Sequence, residues 1–231
     1  MASELDEIFR KAGRKERAVY EKRYLKSALE FYGTGVPFVR KQAKMFYKAH
    51  PDYSHDELWA LVDVLWRKDN HELRSFCVAL LELFSDRLLA SDLSRIKSLL
   101  IQSAGWALVD WLATGVLSVM VQRYASARRS MKVWARHDNF WIRRSALLSL
   151  LSELRCGEGD FTYFEELAVP MLQEKEFFIR KAIGWILREV SKKNPDLSFG
   201  FLKRHRQTVS SLTLREGSKY LSPRQKQALN I

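Results

Sequence analysis

One helical phrase returns six times along the 231-residue chain. It reads VRKQA from Val39, LRSFC from Leu73, LVDWL from Leu108, IRRSA from Ile142, IRKAI from Ile179 and LREGS from Leu214, at intervals of 34, 35, 34, 37 and 35 residues. A unit of this length holds a pair of helices. It cannot bury its apolar face alone, so neighbouring units must stack. Apolar residues recur at helical spacing through the remainder, and no stretch alternates in the manner of a strand.

The expected fold is therefore all-α: a HEAT-like repeat solenoid of stacked antiparallel helix pairs, its inner helices lining a concave basic face. Helix starts are expected at Ser3 with Asp6, at Val36-Pro37, at Ser54 with Glu57 as a capping box, at Asn70, at Asn139 and at Asn194-Pro195-Asp196. Only 10 Gly and 5 Pro occur, and no linker-like stretch breaks the pattern, so residues 1–231 are read as one continuous domain.

Cys77 and Cys156 lie far apart, and the five histidines show no ligand spacing with them. No disulfide framework, metal site or cofactor motif is indicated. The acid-rich start MASELDEIFRKAGRKER matches neither a secretory signal nor a transit peptide, which points to the cytoplasm, at the nucleoid in a bacterium. Between Lys97 and Arg123 the only charge is Asp110. A membrane span there is rejected because polar residues dilute it and a central Asp costs about 2.5–3.5 kcal/mol. Two buried helices are expected instead.

Thirty-nine Lys and Arg stand against 27 Asp and Glu, a net charge of +12. Such a balance favours a polyanionic partner, nucleic acid before an acidic membrane. Within the repeat, the residue after the aliphatic reads Arg40, Arg74, Val109, Arg143, Arg180 and Arg215, a row that suits a ladder between repeats better than ligand contact. The next row reads Lys41, Ser75, Asp110, Arg144, Lys181 and Glu216. Trp106 precedes Asp110 by four residues and Trp185 follows Lys181 by four, so both extend this stripe by one helical turn.

The segments EFFIRKAIGWILREVSKKNPD from Glu176, NFWIRRSALL from Asn139 and GWALVD from Gly105 resemble the AlkD family of DNA alkylation repair proteins, from about Tyr20 to Leu221. The resemblance implies a HEAT-like DNA glycosylase that removes cationic alkylated purines such as 3-methyladenine and 7-methylguanine from double-stranded DNA without flipping the base. It implies Asp110, Trp106, Trp185 and Arg144 as the catalytic cleft. An alkylated purine leaves as a neutral base, so no general acid is needed. One carboxylate, Asp110, would stabilise the oxocarbenium ion left on the sugar. The tryptophans would cradle that cation, and Arg144 would hold a phosphate.

Lys41, Arg143, Arg180 and Lys181 are candidates for further DNA contact. The expected partner is alkylated duplex DNA, with no membrane and no metal, and the expected state is a monomer. The competing expectation is a non-catalytic HEAT-like module that binds damaged or branched DNA. Taken singly, a Trp at helical spacing belongs to a core, and an Asp on a repeat helix caps or pairs. Their joint occurrence in matching motifs is what favours the enzyme.

Overall fold

The computed structural model describes residues 1–103 and 105–231. Among these the chain is helical, with no strand beyond a single bridge between Glu30 and Asn70. It divides into two compact units, Met1–Val116 and Leu117–Ile231.

The first unit contains α1 (Ala2–Ala12), α2 (Lys15–Leu25), α3 (Val36–Ala49), α4 (His55–Trp66), α5 (His71–Leu83), α6 (Leu93–Gln102) and α7 (Trp106–Trp111). A π-helical turn, Leu112–Leu117, follows α7. The second unit contains α8 (Ser118–Arg123), α9 (Ala125–Trp134), α10 (Phe140–Leu148), α11 (Leu151–Cys156), α12 (Phe161–Ala168), α13 (Phe177–Ser191), α14 (Pro195–Arg204), α15 (Ser211–Gly217) and α16 (Pro223–Ala228).

The six repeated phrases fall on α3, α5, α7, α10, α13 and α15. In the first unit α5 packs against both α3 and α7, and in the second α13 packs against both α10 and α15. Each phrase begins with a buried aliphatic: Val39, Leu73, Leu108, Ile142, Ile179 and Leu214 are all nearly inaccessible. Each such burial contributes about 1.5–3 kcal/mol, and within each unit these residues form the seam between one repeat and the next. The second helices cover it from behind: α4 lies on α5, α12 on α10, and α14 on α13.

Side-chain caps set where the inner helices begin. Asn70, Asn139, Glu176 and Ser210 accept from the backbone N–H groups of Leu73, Trp141, Phe178 and Thr213, at 3.1, 2.8, 3.2 and 3.0 Å. Each satisfies a donor that the first helical turn would otherwise leave unpaired. The expected Ser54–Glu57 capping box is present, and Asn194 caps α14. The start expected at Ser3 with Asp6 is displaced: α1 begins at Ala2, and Asp6 instead accepts from the Tyr32 hydroxyl and from Lys68 Nζ at 3.1 Å.

Three arginines of the row, Arg74, Arg143 and Arg180, are held mainly by backbone carbonyls. Arg74 is buried and donates to the carbonyls of Trp66 and Gln102 at 3.0 and 2.9 Å and to Asp69 at 2.9 Å. Arg143 donates to the His137 carbonyl at 2.6 Å and to Glu174 at 2.8 Å. Arg180 donates to the Glu174 carbonyl at 2.7 Å. The guanidinium fork thus pins the loop before an inner helix to that helix. No helix among the described residues is long and apolar enough to cross a membrane. The Lys97–Arg123 span contains most of α6, then α7 and α8.

Candidate active-site residues

In the first unit, α7 is only six residues long, and its sequence sets its orientation. Leu108 and Val109 are buried, whereas Trp106 and Asp110 are only partly so. Four residues apart, these two project from adjacent turns of one face. Trp106 meets Tyr24 of α2 edge-to-face, with ring centroids 6.0 Å apart. Tyr24 in turn stacks on Tyr20 at 6.2 Å, and both tyrosines are largely exposed, at 60% and 67%.

Beside Trp106 opens a recess of about 300 Å³ whose walls include Tyr24, Leu25, Val36, His71, Ser75 and Trp106. Burial, with Arg74 nearby, pulls the His71 imidazole down to about 4, so it is neutral near pH 7. Its ring stacks on Phe31 at 4.6 Å. The adjacent Glu72 is buried, and its carboxylate accepts from the backbone N–H groups of Tyr32, Gly33 and Thr34, at 3.1, 2.5 and 3.1 Å. That loop approaches α2 closely. A Cβ on Gly33, whose φ is +81°, would lie 2.6 Å from the Ala18 nitrogen, so glycine is needed for both conformation and space.

In the second unit, Arg144 on α10 is 3% exposed. One of its Nη atoms donates to the Phe178 carbonyl, and its guanidinium carbon is 5.6 Å from the Phe178 ring centroid. Trp141 and Phe178 occupy the same place in consecutive repeats, just before the buried isoleucine, and their ring centroids are 4.7 Å apart. Trp185 is half-buried on α13, not a core residue. The helix owes its position there to Gly184: a Cβ at that residue would come 2.7 Å from Glu216 Cβ and 3.2 Å from Thr213 Cα, so α15 crosses α13 in near backbone contact.

Of the further candidates, Lys41 is exposed. Lys181 Nζ pairs with Glu216 at 2.7 Å. Arg143 and Arg180 hold backbone carbonyls, as described above. No three His, Cys, Asp or Glu side chains among the described residues converge as metal ligands would.

Tyr24, Phe178 and Glu72 were not singled out by the sequence reading. Phe178 had a signal: NFW and EFF are the same aromatic pair before IRR and IRK. Tyr24 had none, because it reaches Trp106 through a helix outside the repeat.

Stacked helical repeats carrying a net charge of +12 suit a protein that binds a polyanion, and comparison with known proteins gives the class. The model of the DNA alkylation repair enzyme family matches residues 5–221, and the chain belongs to that family. No curated protein matches it. Among solved structures it is similar to a protein of Enterococcus faecalis described as a predicted DNA alkylation repair enzyme, with 26% identity, a TM-score of 0.78, and coverage of 91% of this chain and 97% of that one. AlkD2 from Streptococcus mutans is 18% identical with a TM-score of 0.63, covering 81% of this chain and 91% of its own. The smu.31 protein of Streptococcus mutans UA159 is also 18% identical, with a TM-score of 0.62 and coverage of 80% and 92%. These last two share the fold.

Proposed function

We propose that the protein is a DNA glycosylase that hydrolyses the N-glycosidic bond of purines made cationic by alkylation, of the 3-methyladenine and 7-methylguanine type, in double-stranded DNA and without base flipping. The observation that carries this reading is the partly exposed pair Trp106 and Asp110 on one face of α7, in a segment otherwise free of charge.

The bond from the sugar C1′ to the purine nitrogen breaks with both electrons going to the base. The base departs neutral, and the positive charge passes to the sugar as an oxocarbenium ion. Asp110 is stronger against that ion than against the ground state, which is what lowers a barrier. Water then adds to C1′ and its proton leaves by way of the Asp110 carboxylate to solvent. The π faces of Trp106 and Trp185 favour a cation by about 0.5–2 kcal/mol each. The phosphate that the resemblance gives to Arg144 would have to reach a guanidinium only 3% exposed and already donating to the Phe178 carbonyl, so a backbone phosphate is assigned to the exposed Lys41 instead. No metal or cofactor enters this scheme.

The test is incubation of the purified protein with duplex DNA containing 7-methylguanine, followed by chromatography of the released base. Release above the spontaneous rate is expected. Binding to the same DNA with no release would sink the glycosylase reading and favour a DNA-binding module.

A further inference from the structure

The residue after Asp110 is Trp111, and its indole is held from two other helices. Trp111 Nε1 donates to Glu82 Oε2 of α5 at 2.8 Å. The same oxygen pairs with Arg40 Nη1 of α3 at 3.2 Å, and the Arg40 guanidinium lies 4.4 Å from the Trp111 ring centroid. Gly115 leaves room for this arrangement. A Cβ there would come within 3.0 Å of Glu82 Oε1 and 3.3 Å of Trp111 Cδ1. All four residues belong to the first unit.

From these contacts we infer that Glu82, Trp111 and Arg40 form a clamp that positions the Asp110 carboxylate for catalysis; the inference rests on the proposed function. The reason is the change of helical ladder beside Asp110. The hydrogen bonding of α7 passes to a π-helical turn at Leu112, directly after Trp111, and where the ladder is irregular the rotation of the segment depends on what its side chains hold. A side-chain tip lies about 5 Å from a helix axis, so a rotation of about 12° moves it by about 1 Å. Displacements of that size cost on the order of 10²-fold in rate. Trp111 is the handle by which α3 and α5 set this angle. Its indole N–H fixes the ring to α5, and the cation over its face holds it toward α3. Glu82 and Arg40 act through Trp111 and are positioning residues.

The experiment compares Glu82→Ala, Glu82→Gln and Trp111→Phe with the parent and with Asp110→Asn, each well below its melting temperature. Single-turnover release of 7-methylguanine should fall roughly 10-fold or more in Glu82→Ala and in Trp111→Phe. Affinity for the same DNA should stay within about 2-fold. Glu82→Gln keeps an acceptor for the indole and should recover most of the rate. A second readout does not depend on activity: NMR of protein labelled at the aspartate carboxyl carbons, with the Asp110 signal assigned from Asp110→Asn. That signal should move in Glu82→Ala and return in Glu82→Gln. An Asp110 signal unmoved in Glu82→Ala overturns the clamp whatever the activity, as does a folded Glu82→Ala protein that excises at the parental rate. If the parent releases no base while the Asp110 signal shifts as expected, the clamp stands as the device that sets this carboxylate and the glycosylase reading is what fails.

Discussion

Lys181 Nζ and Glu216 Oε1 lie 2.7 Å apart on neighbouring inner helices, at the same position of consecutive repeats. Arg188 donates to the other oxygen of the same carboxylate. Glu216 therefore unites two cations of α13 with α15 where Gly184 lets the helices touch. Its carboxyl is held below the usual carboxylate range by the hydrogen bond from Lys181, against an opposing effect of burial, with the charges of Lys181 and Arg188 assisting.

A carboxyl with a lowered folded-state pKa stabilises the protein above its unfolded value near 4.5, and that stabilisation is lost as pH falls through the folded value. Glu216→Gln should thus lower the melting temperature at pH 7 by about 2–4 °C, a modest figure because Lys181 is partly solvated. The gap to the parent should close as the pH is brought below 4.5. A gap that stays constant down to pH 3 would mean that packing, not charge, accounts for the loss.

Asp110→Asn separates chemistry from binding. Loss of one preorganised charge commonly costs about 10²- to 10³-fold, and single-turnover excision should fall by that amount. DNA affinity should hold or rise, because the variant presents one negative charge fewer to a polyanion. Circular dichroism melts establish that the variant is folded, and equal excision rates would remove Asp110 from the mechanism.

How far the chain could be read depended on whether a contact repeats. Val39, Leu73, Leu108, Ile142, Ile179 and Leu214 were visible as a seam because each repeat must bury the same face, and the caps at Asn70 and Asn139 were visible because a helix start needs an acceptor there. The cap at Glu176 was missed, since glutamate is an uncommon residue in that role. Trp106, Asp110, Arg144 and Trp185 could be named as candidates from motifs. Their surroundings could not, because Glu82 reaches Trp111 and Tyr24 reaches Trp106 across intervals that follow no period. Arg143 and Arg180, read both as rungs of a ladder and as candidates for DNA contact, hold the carbonyls of the loops before their helices, a local bond that no repeat spacing reveals.

Glu72 offers a stability test away from the chemistry. One buried carboxylate satisfies three backbone N–H groups of the Tyr32–Thr34 loop. Glu72→Ala leaves those donors without their acceptor and should cost about 3–5 kcal/mol, or roughly 10 °C in melting temperature. Glu72→Gln can accept through only one oxygen and should fall between. Hydrogen exchange gives the local check: the amides of residues 32–34 should lose protection first.

His71 supplies the last test, and its sign is the opposite of that for a histidine stabilised by an acid. Its folded-state value, about 4, lies below the ordinary 6.5 because burial and then Arg74 disfavour the charged ring. As the pH falls from 6.5 toward 4, the unfolded chain takes up a proton that the folded chain refuses, and folding weakens. Below about 4 both states are charged and this contribution stops growing. His71→Phe keeps a ring against Phe31 and removes the titration. Its urea midpoint should therefore decline less steeply than the parent's between pH 6.5 and pH 4. Parallel curves for the two proteins over that interval would show that the folded protein protonates His71 as readily as the unfolded chain does, and the recess beside Trp106 would then carry a cation below about pH 6.5.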